Sequence, residues 1–375
     1  MAKHTVQTLL AEHLTTILGQ RNFPLHQLKA LTQFSKCRTA ALGGNAQYCK
    51  NGHLNGIWYN SCRHRACPQC QSCASEQWLL NVQRILLDCP HHHIVFTIPA
   101  ELNVLFRYNR STMIDVLFKA SHDTLQQFSS DKRYLDAKAG LIASLHTWGR
   151  NLSLHPHIHF LMTHGGVDQI GRWREPRRTI LFPRKPVMQV FRGKYLACLK
   201  QAMSDVSWKM PPSLRRDELQ RLIRRLYEKE WVVHFCKRYD YAGGVAKYLS
   251  RYVKSGPMRN SQLRSSKVGM VKFAYRSHQT KKTESVHLSV ADFVQRLIQH
   301  IPPSGKRTIR YYGLYHANAQ AKLVAARAAR AMPPMKAVTK LNWQQFMDRL
   351  GQTPVCTTCG APIGPAGEDD FGELA

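Results

Sequence analysis

The chain has 375 residues and a formal net charge of +31. This length is enough for two or three domains with hydrophobic cores, and the excess of Lys and Arg favours a phosphate-rich partner, with nucleic acid as the first candidate. There is no apolar run of about 18 residues and no apolar signal-peptide core, which excludes a membrane span and predicts a cytoplasmic protein.

The N-terminal part combines a predicted helix over residues 1–30 with a loop-rich segment over residues 31–75. Six of the eleven cysteines lie in the loop-rich segment. Disulfides are rare in cytosolic proteins, so this clustering indicates metal binding. Cys67-Pro-Gln-Cys70 is a C-x-x-C turn of the kind that binds zinc tetrahedrally.

Seven residues of the loop-rich segment are candidate structural zinc ligands, which would serve one zinc ion or two. They are Cys37, Cys49, His53, Cys62, Cys67, Cys70 and Cys73. Basic residues, including Arg63 and Arg65, lie among them. A zinc-bound basic loop suits DNA contact, although the same residues are also compatible with a solvated surface.

Helices and strands are predicted in alternation through the middle of the chain. They are a helix at 78–87, a strand at 93–98, a helix at 110–128 and adjacent strands at 141–147 and 154–163. Gly165-Gly166 is predicted to end the last strand.

That last strand carries His157 and His159. Alternate residues of a strand point to one face, about 7 Å apart, so the two imidazoles are placed to share a divalent metal ion. A histidine-rich strand with a structural role is the alternative. His146, near the end of the preceding strand, is the candidate third ligand, and His155 competes with it.

Basic and polar segments dominate the second half of the chain. The predictions are a basic turn-rich segment at 172–186, a basic amphipathic helix at 214–227, a strand at 231–236, a short helix from 243 to 253, polar hairpins at 256–285 and a helix at 290–300. From about residue 318 we expect an α-rich and partly flexible tail.

Tyr248 and Tyr252 are one helical turn apart, at the edge of an apolar stripe. A tyrosine phenolate can attack phosphorus and form a covalent phosphotyrosine. Because the ordinary pKa of tyrosine is about 10, such a role needs a nearby cation or metal; Lys247 and Arg251 are adjacent. Packing of the two tyrosines is the alternative reading.

Cys356-Thr-Thr-Cys359 is half of a zinc knuckle, and no second half follows it. The pair either completes a site with another segment or has no metal-binding role.

Residues 30–316 resemble the two-tyrosine HUH-endonuclease transposases of rolling-circle insertion sequences. The resemblance is carried by Cys37-Arg-Thr-Ala-Ala-Leu-Gly-Gly44, Tyr59-Asn-Ser-Cys62-Arg, Cys67-Pro-Gln-Cys70-Gln, Glu76-Gln-Trp78, His146-Thr-Trp-Gly149, Leu154-His-Pro-His-Ile-His159, Tyr248-Leu-Ser-Arg-Tyr252 and Arg310-Tyr-Tyr-Gly313-Leu. The family fold implies an α+β class: an antiparallel sheet flanked by helices as an HUH nuclease-like core, with an N-terminal zinc-stapled module.

The resemblance also implies a mechanism. Mg²⁺ or Mn²⁺ on His157 and His159, with His146 as third ligand, would activate the scissile phosphate. Tyr248 or Tyr252 would attack it, leaving a 5′-phosphotyrosine and a free 3′-hydroxyl. The implied partners are single-stranded DNA at the ends of the element and target DNA, with Arg63, Arg65, Lys247 and Arg251 as contacts. The implied location is the bacterial cytoplasm at the nucleoid; no motif indicates an oligomeric state.

Four segments follow from this assignment: a helical start with the zinc module at 1–88, the nuclease core at 89–255, a basic hairpin and helix extension at 256–317, and the basic tail at 318–375. The chain departs from the family where Cys49-Lys-Asn-Gly-His53 replaces a second C-x-x-C, and His53 or Cys73 can substitute for the missing cysteine. Two alternative functions are a replication initiator or relaxase of the same superfamily, and a non-catalytic zinc DNA-binding protein.

Overall fold

The computed structural model describes residues 4–176, 181–236, 238–240, 244–245, 256–267, 269–277, 280–349, 351 and 354–363, without the side chains of 71–74, 266–267 and 343–344. Five predicted site residues lie outside this description. They are Tyr248, Tyr252, Lys247, Arg251 and, for its side chain, Cys73.

Helices and antiparallel sheets make up the described residues, which confirms the α+β class. The helices are α1 Val6–Gln20, α2 Leu25–Lys36, α3 Gln71–Ile85, α4 Asn103–Tyr108, α5 Arg110–Ser130, α6 Arg184–Met203, α7 Arg216–Glu228, α8 Val290–Ile298, α9 Gln320–Ala329 and α10 Trp343–Arg349. The strands are β1 Gly44–Tyr48, β2 Leu54–Tyr59, β3 His91–Thr97, β4 Lys138–Trp148, β5 Leu154–Val167, β6 Trp173–Arg174, β7 Val232–Phe235, β8 Leu263–Lys267, β9 Met270–Arg276, β10 Thr283–Ser289 and β11 Ile309–Gly313. None of the described helices is both long and apolar enough to span a membrane.

The chain divides into two compact units that differ from the boundaries expected in chain order. Unit 1 contains residues 1–81, 255–301 and 337–375, and unit 2 contains residues 82–254 and 302–336. Residues 256–301, expected as an extension of the core, group with unit 1. They contact the N-terminal helix α1 and the residue after it. The Val6 amide donates to the Asn260 side chain at 3.1 Å, and Arg21 forms an ion pair with Asp292 at 2.6 Å.

Unit 1 begins with two helices where one was predicted. α1 ends at Gln20 and α2 begins at Leu25. Pro24 lies at the N-cap of α2, and a proline disfavours helical geometry in the residue before it, so one helix does not continue through Phe23. The predicted polar hairpins form an antiparallel sheet in the order β10-β9-β8.

Unit 2 is built on an antiparallel sheet in the order β11-β4-β5-β3-β7, with β6 also paired to β5. β5 therefore lies in the interior of the sheet, between β4 and β3. Ile158 and Phe160 on β5 are fully buried in the main core, where Phe96 contacts Phe160 and Phe191 edge to face. Burial of each such side chain contributes about 1.5–3 kcal/mol, which fixes the faces of β5.

The sequence predicted that Gly165-Gly166 ends β5, and this prediction is wrong. β5 continues to Val167 because these glycines allow close backbone approach. A Cβ atom on Gly165 would lie 2.5 Å from the Trp173 ring, and one on Gly166 would lie 2.6 Å from the Lys138 carbonyl oxygen.

A buried hydrogen-bonded chain joins β3 to Tyr315. The His91 Nδ1–H donates to the Cys89 carbonyl at 2.8 Å, and the Tyr315 hydroxyl donates to His91 Nε2 at 2.8 Å. The same hydroxyl accepts from the Leu87 amide at 3.1 Å. All three groups are satisfied only when His91 is neutral, and burial lowers its pKa to about 4.

Replacing Tyr315 by Phe should destabilise unit 2 by about 1–3 kcal/mol, because it leaves His91 Nε2 and the Leu87 amide without their partner. Urea unfolding of the two proteins measures the difference. Tyr227→Phe, at a side chain 38% exposed, is the matched control and should change stability by less than about 0.5 kcal/mol. Equal effects of the two changes would contradict this account.

Mild acid should also destabilise the sheet. Burial lowers the pKa of His92 to about 3, with a smaller contribution from His164. The unfolded chain therefore binds a proton near pH 6.5 that the folded chain does not, and stability falls as pH drops through that value. Between pH 7.5 and 5.5, wild type should lose about 1.4 kcal/mol more than His92→Phe in urea unfolding. Identical losses in both proteins would refute the prediction.

Candidate metal centres

Three histidines meet where β4 pairs with β5. His146 lies opposite His157 in the register, and Ser144 lies opposite His159. One ligand nitrogen from each of His146, His157 and His159 lies within 4.8 Å of the others. Their ring centroids are 4.5–5.4 Å apart. The strand pairing thus gathers three imidazoles of the kind that bind a transition-metal ion.

Neighbouring groups orient these imidazoles. The His157 Nδ1–H donates to the His155 carbonyl at 2.6 Å, which leaves His157 Nε2 as the nitrogen with a lone pair. His159 Nδ1 lies 2.8 Å from His93 Nε2. When His159 Nδ1–H donates in this pair, its Nε2 is available to a metal, an arrangement typical of metal-bound histidine.

Burial holds His157 and His159 neutral, which is the form that binds metal. Burial, with a smaller repulsion from His93, lowers the pKa of His159 to about 3. Burial also lowers the pKa of His157 well below its ordinary value.

His155 is exposed and lies outside this group, although its ring is 5.0 Å from that of His157. It contributes its backbone carbonyl instead. His93 is a neighbour that sequence reasoning missed. The signal was the His91-His92-His93 run at the start of a predicted strand, but the partner of that strand was unknown.

A second group lies in unit 1 and brings together Cys37, Cys62, Cys67 and Cys70. The Sγ–Sγ distances from Cys70 are 3.3 Å to Cys37 and 3.5 Å to Cys62, and Cys37 lies 3.6 Å from Cys67. Four sulfurs at tetrahedral zinc–sulfur distances of about 2.3 Å would lie about 3.8 Å apart. The donor set therefore fits a structural zinc ion.

Backbone turns present these thiols. Arg38 and Arg63, which directly follow Cys37 and Cys62, have positive φ values of 57° and 51°. Residues other than glycine rarely adopt that backbone conformation, so both turns depend on surrounding interactions. Arg63 and Arg65 are exposed beside the cluster.

Cys49 and His53 do not join this cluster. They lie in a third group with Cys356 and Cys359, from near the other end of the chain. The predicted N-terminal zinc ligands that the structure describes therefore belong to two separate groups.

Two family profiles match the chain. A transposase zinc-binding domain matches residues 9–98, and a putative transposase family matches residues 140–322. The chain is 35% identical over 294 residues to the transposase for insertion sequence element IS801 of Pseudomonas savastanoi pv. phaseolicola, covering 76% of this chain and 70% of that protein. The chain belongs to the IS91/IS801 transposases.

A second relative agrees with this assignment. The putative transposase y4qJ of Sinorhizobium fredii is 33% identical over 293 residues, covering 76% of this chain and 74% of the relative. No solved structure matches the chain significantly. The family membership makes this transposase a DNA-acting enzyme, and the matched zinc-binding domain contains the four-cysteine cluster.

His93→Leu should weaken Mn²⁺ binding by 10- to 100-fold, about the usual effect of losing a group that orients a metal-bound histidine. Isothermal titration of the purified transposase measures this affinity. His92→Leu is the matched control, because His92 is also on β3 but pairs at 2.7 Å with His164 of β5, which is not one of the three candidate ligands. Equal loss of affinity in both variants would show a general effect of destabilisation.

Proposed function

We propose that this transposase cuts and joins single-stranded DNA at the ends of an insertion sequence by tyrosine attack, as an HUH enzyme of rolling-circle transposition. The observation that supports the proposal most directly is the group of three imidazoles on adjacent strands of an antiparallel sheet. Two histidines with one residue between them, next to a third, provide the protein ligands of a metal-dependent phosphodiester reaction.

His146, His157 and His159 would hold Mg²⁺ or Mn²⁺ in this proposal. A divalent ion bound there would polarise the scissile phosphate as a Lewis acid. The His155 carbonyl and His93 keep two of the rings in place, so the ligand positions are set before DNA binds.

Tyr248 and Tyr252 are the proposed nucleophiles. The phenolic oxygen of one tyrosine forms a bond to phosphorus, and the bond between phosphorus and the 3′ oxygen breaks. The phenol loses its proton and the leaving 3′ oxygen gains one, which yields a 5′-phosphotyrosine and a free 3′-hydroxyl. The second tyrosine would serve a second strand transfer. Reversal of the step at a new 3′-hydroxyl would join the DNA.

The charge of the protein supports a DNA substrate. A net charge of +31 favours binding along a phosphate backbone without regard to sequence. Arg63 and Arg65 are the proposed contacts in the zinc module, and Lys247 and Arg251 are the proposed contacts beside the tyrosines. The bacterial nucleoid is the corresponding place of action.

Covalent capture of DNA tests the proposal. Wild type incubated with Mn²⁺ and single-stranded DNA from the element's end, labelled at its 3′ end, should give protein-linked label that survives denaturing electrophoresis, because the 5′-phosphotyrosine retains the DNA on the 3′ side of the nick. His157→Ala and the double change Tyr248→Phe/Tyr252→Phe should each abolish it, because they remove a metal ligand and both nucleophiles. Loss of at least about 100-fold is expected from removal of a nucleophile.

Two matched variants control for nonspecific damage. His287→Ala changes an exposed strand histidine, and Tyr227→Phe changes a tyrosine in α7; both should retain the covalent product. Tight DNA binding without a covalent product, in several end sequences and with both metals, would instead identify a non-catalytic zinc DNA-binding protein.

A further inference from the structure

The third group of potential ligands joins two segments some 300 residues apart in sequence. Cys49 directly follows β1 and His53 directly precedes β2, whereas Cys356 and Cys359 lie in the C-terminal segment. All four belong to unit 1. Cys356 and Cys359 are outside both ranges matched by the family profiles, 9–98 and 140–322.

The distances within this group fit the edges of a tetrahedron around zinc. Cys49 Sγ lies 3.6 Å from Cys359 Sγ and 3.5 Å from His53 Nδ1, and Cys356 Sγ lies 3.8 Å from the same nitrogen. Zinc–sulfur and zinc–nitrogen bonds of about 2.3 and 2.0 Å place sulfur–sulfur pairs about 3.8 Å apart and sulfur–nitrogen pairs about 3.6 Å apart. A disulfide needs sulfurs at about 2.05 Å, which none of these pairs approaches.

Both segments form tight turns that present the ligands. In the first, the Gly52 amide donates to the Cys49 carbonyl at 2.9 Å, and Gly52 has a φ of 78°. In the second, the Gly360 amide donates to the Cys356 carbonyl at 2.8 Å, and Gly360 has a φ of 70°. Glycine suits each turn because residues with a side chain rarely adopt positive φ.

Polar groups also point at the sulfurs. The Asn51 side-chain amide donates to Cys359 Sγ at 3.3 Å, and the Thr358 backbone amide donates to Cys356 Sγ at 3.4 Å. Such hydrogen bonds favour thiolate over thiol, and thiolate is the form that binds zinc.

The backbone aligns the two segments beyond the ligands themselves. Cys49 forms an antiparallel bridge with Ile363, and the Asn55 side chain accepts from the Thr357 amide at 3.2 Å. Cys49, Cys356, Ala361 and Ile363 form a small buried cluster of their own. Four residues make a very small core, so a metal ion would supply much of the stability of this junction.

We propose that Cys49, His53, Cys356 and Cys359 bind a second structural zinc ion, distinct from the one at the four-cysteine cluster. This ion anchors the C-terminal segment 354–363 to the β1–β2 hairpin. The segment is thus a part of the zinc module supplied from the end of the chain.

Counting zinc ions by native mass spectrometry of the full chain tests the proposal. Cys356→Ser/Cys359→Ser should hold one zinc ion fewer than wild type, and so should Cys49→Ser/His53→Ala. The four changes combined should again remove one ion, because both pairs share it. Cys198→Ser and Cys236→Ser, at cysteines outside both clusters, should keep the wild-type number.

Two outcomes would overturn the proposal. One is a wild-type zinc count in Cys356→Ser/Cys359→Ser, and the other is loss of two ions in the combined variant. The count is independent of DNA cleavage, so the transposition chemistry can fail without affecting it.

Alkylation of wild type avoids any variant that fails to fold. Cys359 is exposed, so its thiol should react rapidly with iodoacetamide after zinc is removed by a chelator and slowly before. Peptide mass spectrometry gives both rates, with Cys198 as the internal control that should change little. Equal reactivity of Cys359 before and after chelation would also contradict a zinc ion at this place.

Discussion

The register between β4 and β5 is the constraint on which the rest of unit 2 depends. β5 sends Ile158 and Phe160 into a core of aromatic side chains, so His157 and His159 must lie on the opposite face. A slip of one residue would bury imidazoles among phenylalanines and expose the core residues to water. Hydrophobic packing on one face therefore fixes the positions of the candidate metal ligands on the other.

Burial gives the histidines of this sheet two linked properties. It keeps imidazoles such as His159 neutral and able to bind a metal, because a protonated imidazole would place a positive charge where water cannot solvate it. The same desolvation acts on His91 and His92, which have no place in the proposed metal site. A histidine-rich sheet thus gains neutral ligands at the cost of stability in acid.

Unit 1 meets a different physical problem. The β1–β2 hairpin leaves Leu54, Ile57 and Trp58 exposed, and a two-stranded hairpin is marginal in water without other support. The four-cysteine cluster joins the end of α2 to the segment after β2 and the start of α3. The proposed second zinc site joins the turn of the hairpin to residues near the C-terminus. Metal ligation at both places would stabilise the hairpin and the segments joined to it.

The proposed chemistry and the described geometry meet at the histidine group. Rings oriented by the His155 carbonyl and by His93 need little rearrangement to hold a cation. Preorganisation of this kind lowers the reorganisation needed during phosphoryl transfer. The strong positive charge acts at longer range, by concentrating DNA near the enzyme before any specific contact forms.

Local sequence patterns predicted many of the elements that this chain forms and which residues of β5 share a face. They predicted two adjacent strands with histidines at 146, 157 and 159 and a C-x-x-C turn suited to zinc, because these features depend on residues close together in the chain. The antiparallel α+β class followed from the resemblance to a known family. Only the tertiary structure decided which strands and turns are neighbours. It placed His93 against His159, allowed β5 to continue through Gly165, and brought Cys356 and Cys359 to Cys49 and His53. These contacts depend on the order of strands in the sheet and on the pairing of segments far apart in sequence. Local hydrophobic patterns predict neither.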